Sequence, residues 1–137
     1  MNRQELLATL PRPDRAGVFD LPARSVPVVL EAAAAAGLVA FRVGLAGCTS
    51  REEVLARLGE HLGFPEWYGQ NWDALADCLT DFSWQAAAGY VLVLEQLGDF
   101  RAASDEDFDT LIEILSDASA SWSGLAVPFW AFLVTSP

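Results

Sequence analysis

The sequence predicts an α/β domain: a small three-stranded parallel sheet packed with helices. Three observations point there. Leu38–Val43, Tyr90–Leu94 and Phe129–Val134 are compact apolar runs of strand length. The segments between them repeat their apolar residues at helical spacing. Strands that alternate with helices join as a parallel sheet through right-handed crossovers. With 137 residues, 53% of them hydrophobic, the chain is long enough to bury one core.

Residues 1–24 carry Pro11, Pro13 and Pro22 among mixed charges and read as an irregular lead-in, with Gly17-Val18-Phe19 as a candidate edge strand. The domain proper is expected over 25–137. Pro27 suits the first turn of an extra N-terminal helix over 26–36, and Gly37 suits its C-terminal cap. After the strand from Leu38, Ser50 and Glu53 form a capping-box pattern, and Val54, Leu55, Leu58 and Leu62 follow at helical spacing up to Gly63. A second helix is expected over 69–80. The continuous apolar character of Tyr90–Leu94 is that of a strand covered on both faces. Ser104 and Asp107 open a third long helix, with Phe108, Leu111, Ile112, Leu115 and Ala118 on one stripe, and Pro128 precedes the last strand.

Nineteen acidic residues stand against eight arginines and no lysine, a formal net charge of −11. The distribution is uneven: residues 1–63 sum to zero, whereas 64–137 contain twelve acids and only Arg101. Phosphate binding requires a basic surface, so direct nucleic-acid binding is not expected. The asymmetry fits either a basic partner or a role in solubility. Cys48 and Cys78 are too few for a disulfide framework and lack zinc-ligand spacing, so a reducing cytoplasm is the expected location. The N-terminus does not read as a secretory signal, and the most apolar stretch, Val26–Gly47, is broken by Pro27, Glu31, Gly37, Arg42 and Gly44, which argues against a membrane span.

Phe64–Asp81 carries the most information. Wound as a helix, it places Trp72, Leu75 and Leu79 toward the core and Asp73, Asp77 and Asp81 at successive steps of four, with Glu66 seven residues before Asp73. Like charges four apart cost a helix about 0.2–0.5 kcal/mol per pair, so stability alone does not favour this ridge. On the residues alone it is either a solvated helix face or a binding surface.

The run PEWYGQNWDALADCLT, Pro65–Thr80, closely resembles the loop and second helix of the barstar family, intracellular inhibitors of bacterial ribonucleases, and the element order resembles that family from Leu38 to Val134, including Val93-Leu94-Glu95. The resemblance implies a stoichiometric inhibitor of a basic bacterial ribonuclease, not an enzyme, acting without a cofactor. It implies that Asp77 occupies a phosphate position in the target and that Asp73 is a second contact carboxylate. Trp67 would be a flat aromatic contact, Gly69 and Asn71 would belong to the contact loop, and Phe82 would be the contact aromatic after the helix. Ala76 stands where the family has an aromatic on the binding side, and Asp81 where it has a glycine. Asp117 is the acidic contact expected from the third helix, since Ser121 stands at the aligned acidic position. Residues 1–37 have no counterpart in the family's short prototype. These departures motivate a second expectation, a barstar-fold interaction module for a non-nuclease partner.

Other clusters have simpler readings. Asp105, Glu106, Asp107 and Asp109 lack the pattern of a calcium loop and suit the positive end of a helix. His61 is an ordinary last-turn histidine before Gly63, and Cys78 reads as a small packed residue. Trp84, Trp122 and Trp130 read as core or edge aromatics.

Overall fold

In a computed structural model that describes residues 2–136, the chain runs α1 (Arg3–Thr9), β1 (Val18–Pro22), α2 (Val26–Ala35), β2 (Val39–Gly44), α3 (Arg51–Leu62), α4 (Trp72–Leu79), β3 (Tyr90–Glu95), α5 (Gly98–Ala103), α6 (Asp105–Ser123) and β4 (Phe129–Ser136). Met1 and Pro137, the outer limits of the expected segments, lie outside the described residues.

The sheet has four strands, not the three expected, in the order β1-β4-β3-β2 with every neighbour parallel. The fourth, at the edge of the sheet, comes from the segment expected to be an irregular lead-in with Gly17-Val18-Phe19 as a candidate edge strand. There Asn2 caps α1 by accepting from the Glu5 amide at 2.9 Å, and β1 pairs in register with β4, Val18 opposite Ala131 and Leu21 opposite Val134. Pro11 and Pro13 shorten α1 without abolishing it, because Leu6 and Leu10 are buried against the sheet.

Strand alternation divides the core in two. Tyr90, Leu92 and Leu94 of β3, with Phe129, Ala131 and Leu133 of β4, face α3, α4 and α6. Val91 and Val93, with Trp130 and Phe132, face α1 and α2. β3 is therefore buried on both faces, as its unbroken apolar run requires. The Trp130 indole N–H donates to the Leu10 carbonyl at 2.9 Å, fastening the end of α1 to the sheet.

The expected caps form. Pro27 lies in the first turn of α2, and Gly37 takes a left-handed φ of 78° just beyond it. Ser50 accepts from the Glu53 amide at 3.3 Å. Gly63 ends α3 at φ 67°, and Ser104 accepts from the Asp107 amide at 3.1 Å. Buried Ser119 donates to the Phe129 carbonyl at 2.8 Å and ties α6 to β4. α5 is a further short helix that the sequence reading did not resolve. Among the described residues, no helix is long and apolar enough to cross a membrane.

Candidate functional site

α4 starts at Trp72 because Asn71, in an extended conformation, accepts from the Ala74 amide through Oδ1 at 2.8 Å. The helix expected from residue 69 thus begins later: Gly69 and Gln70 lie in the loop before it, Gln70 at φ 51°. The Asn71 carbonyl-type oxygen serves this cap, so its first role is to set the start of the acidic helix.

The preceding loop is held by its aromatics. Tyr68 donates through its hydroxyl to the Leu55 carbonyl at 3.0 Å, and its ring lies so close to α3 that a Cβ on Gly59 would stand 2.7 Å from it. Burial pushes the Tyr68 hydroxyl pKa well above its ordinary value, with the nearby Cys78 adding to the effect. Phe64 packs edge-on to Tyr68 at 4.8 Å and to Trp84 at 5.7 Å. Trp67 packs edge-on to Trp84 at 6.1 Å yet remains 59% exposed. The loop therefore presents one large indole to solvent from a fixed aromatic base.

Along α4, Leu75, Cys78 and Leu79 are buried, Trp72 and Ala76 are half-buried, and Asp73 and Asp77 are exposed one helical step of four apart. The step does not continue to Asp81. The helix stops at Leu79, where Thr80 donates through Oγ1 to the Ala76 carbonyl at 2.9 Å, and the Asp81 carboxylate, beyond the end, accepts from the Ser83 amide at 3.2 Å. Its charge nevertheless reaches the helix: burial first, then Asp81 and Asp77, push the Cys78 thiol up to about 11. Such a thiol is neutral and sealed in the core.

Phe82 requires a correction. The chain turns inward at a left-handed φ of 48°, and the Phe82 ring is fully buried, stacked on Tyr90 at 4.5 Å. It supports the site from below and offers no side chain to a partner. Asp117 is exposed on α6. The structure adds a feature that the sequence reading missed: Asp105, Asp109, Glu113 and Asp117, all exposed, follow one another at steps of four along α6.

Among the described residues, Asp73, Asp77, Asp81 and Asp117 have no ion-pair partner, since the salt bridges of the chain join Arg3 to Glu31, Arg12 to Asp14, Arg42 to Glu95, and Arg51 to Glu52 and Asp107. A groove of about 470 Å³ beside Asp73 is lined by Arg51, Leu55, Gln70 and Trp72. Fixed carboxylates without counter-ions can accept charge-assisted hydrogen bonds from arginine or lysine, and the exposed indole of the preceding loop can stack on a flat group. Among the described residues, no three His, Cys, Asp or Glu side chains are grouped so as to hold a metal ion.

Comparison with solved structures finds the ORC2 protein of Aeropyrum pernix (ADPNP-ADP complexes), with a TM-score of 0.57 and 14% identity over 88% of this chain. This chain spans only 35% of that protein's length, and the likeness is one of fold. Drosophila ORC bound to AT-rich DNA and Cdc6 aligns at a TM-score of 0.49 and 9% identity, over 97% of this chain and 47% of that one. No curated protein matches the sequence. The family model described as Barstar (barnase inhibitor) matches residues 38–134, which takes in β2, β3, most of β4 and the whole acidic helix and leaves out α1, β1 and α2. With that match covering most of its length, the chain belongs to the barstar (barnase inhibitor) family.

Proposed function

We propose that the chain is a stoichiometric inhibitor that lays the exposed face of α4 into the active site of a basic bacterial ribonuclease in the cytoplasm. The observation that carries this reading is the pair Asp73 and Asp77, exposed and without counter-ions among the described residues, on a helix whose leading loop exposes Trp67. Asp77 is the central anion in the place of a substrate phosphate, Asp73 the second, and Trp67 the stacking flank. Gly69 is part of the contact loop. Ala76 leaves room between the carboxylates, while Asp81 and Asp117 extend the acidic field that speeds encounter. No step of chemistry is assigned to the protein itself.

The test is titration of a basic bacterial ribonuclease with the protein while RNA cleavage is followed. Wild type should stop cleavage at one equivalent, and Asp77→Ala should weaken inhibition by about 2–5 kcal/mol, since it leaves cationic groups of the enzyme buried and unpaired. Equal inhibition by the two proteins would remove Asp77 as the anchor. A second reading, a non-nuclease partner for the same face, is favoured by Ala76 and by the buried Phe82, which leave this face with less aromatic surface than an inhibitor of the prototype type presents. Affinity capture distinguishes the two: a basic partner without nuclease activity that is lost with Asp77→Ala supports the second.

A further inference from the structure

The side of the sheet away from the acidic helix holds a cavity of about 650 Å³, walled by α1, β1 and the start of α2, within the volume range of small-molecule sites. Three of its walls come from residues that the family match leaves out. Its floor is aromatic. The Trp130 and Phe132 rings, only 5% and 6% exposed, lie nearly parallel, 11° apart, and Phe19 covers them, 5.6 Å from Trp130, while staying 46% exposed itself. A ring of that size left open to water beside a concave surface is apolar area that a flat ligand would cover.

One cationic group on the wall makes no hydrogen bond or ion pair among the described residues, although Asp14 lies within its electrostatic reach. Arg3, Arg12, Arg42 and Arg51 are held in ion pairs, Arg57 donates to the Gly44 carbonyl, and Arg101 lies over the Phe108 ring. The Arg15 guanidinium, which lines the cavity, has no hydrogen bond or ion pair among the described residues. Arg24 shares the wall. Asp20 also borders the cavity, but its strand neighbours Phe19 and Leu21 face it, so alternation turns the Asp20 carboxylate to the other side.

We propose that this cavity binds a small planar aromatic monocarboxylate, its ring against the exposed Phe19 ring and its carboxylate paired with Arg15. Guanidinium and carboxylate match in planar, two-pronged geometry, which gives the site both its charge preference and its orientation. The chain's charge distribution supports an anion here: the twelve acids of residues 64–137 dominate the opposite, α4 and α6 side, whereas residues 1–63 are neutral overall.

The probe is 2-naphthoate, titrated calorimetrically into the full chain, with the neutral 2-naphthamide as its uncharged counterpart. Saturable one-to-one binding of the carboxylate is expected, about tenfold weaker for the amide and for Arg15→Gln, the size of one charge-assisted contact. Thr9→Phe, which fills the cavity, should abolish binding. Arg15 is exposed, so Arg15→Gln keeps the test alive even if Thr9→Phe fails to fold. Asp77→Ala should bind naphthoate as wild type does, which separates this site from the nuclease-binding face. No saturation up to about 5 mM, a concentration that would correspond to negligible affinity, or equal binding of carboxylate and amide, overturns the proposal.

Discussion

The Trp122 indole N–H donates to the Leu79 backbone carbonyl at 2.7 Å, joining α6 to the last residue of α4. A helix of only eight residues is marginal by itself, so its orientation depends on such tertiary ties. Trp122→Phe keeps most of the ring packing and removes the donor, leaving a partly buried carbonyl unpaired. Denaturant unfolding should show a loss of about 1–2 kcal/mol. Amide exchange should rise along Leu75–Leu79 before it rises in β3. A variant as stable as wild type with unchanged exchange would show that the bond does not hold the acidic helix.

Asp73 sits in the first turn of α4, where the helix dipole favours an anion, but Asp77 is expected to give nothing to the fold. They repel each other across one helical step, and Asp77 lies toward the helix end that disfavours anions. Asp77→Asn should therefore leave stability unchanged or raise it by about 0.2–0.5 kcal/mol, while partner binding weakens. A destabilisation above about 1 kcal/mol, beyond the range of ordinary surface substitutions, would assign Asp77 a structural role.

Gly59 allows the loop before α4 to lie flat on α3. Alanine in a helix interior is ordinarily better than glycine by about 1 kcal/mol. Here its Cβ would stand 2.7 Å from the Tyr68 ring, whose hydroxyl is fixed to Leu55. Gly59→Ala should thus lose about 1–3 kcal/mol by overpacking. The Trp67 emission should also change, because the loop that carries the indole must move. A stabilised Gly59→Ala protein would mean that Tyr68 relocates freely.

Legibility in the sequence followed the range of the interaction. β2, β3, β4, α3, α4 and α6 announce themselves through local signals: caps at Ser50 and Ser104, the Gly63 stop, and apolar stripes or runs. β1 shows locally only as the short candidate edge strand Gly17-Val18-Phe19; its pairing is to a strand more than a hundred residues later, which local pattern does not encode. α1 and α5 have seven and six residues, too few for periodicity to stand out. At the site, the four-residue step revealed Asp73 and Asp77. The end of the helix at Leu79 and the left-handed turn at Phe82 depend on packing against Tyr90, which sent one expected contact into the core and took Asp81 off the helical series.

The N-terminal layer gives a direct contrast between lead-in and structural element. Leu10 is fully buried, and its carbonyl receives the Trp130 indole. Leu10→Ala should cost about 2–5 kcal/mol, as for a core leucine. An irregular lead-in would lose almost nothing, so urea unfolding of this one variant decides whether residues 2–37 are part of the cooperative unit.

Alkaline pH should destabilise the protein through Cys78. Its thiol, ordinarily near 9.0, is pushed up to about 11 by burial and then by Asp81 and Asp77. Between those values the unfolded chain has released the proton and the folded chain still holds it. Stability is therefore fully present below about pH 9 and falls as pH rises toward 11. Two pKa units correspond to roughly 2–3 kcal/mol. Burial also raises Cys48, Tyr68 and Tyr90, so the wild-type slope contains more than one group. Cys78→Ala isolates this one: unfolding free energies measured from pH 8 to 11 should decline less steeply than in wild type. Parallel slopes for the two proteins would mean that the thiol is not held neutral between the two aspartates.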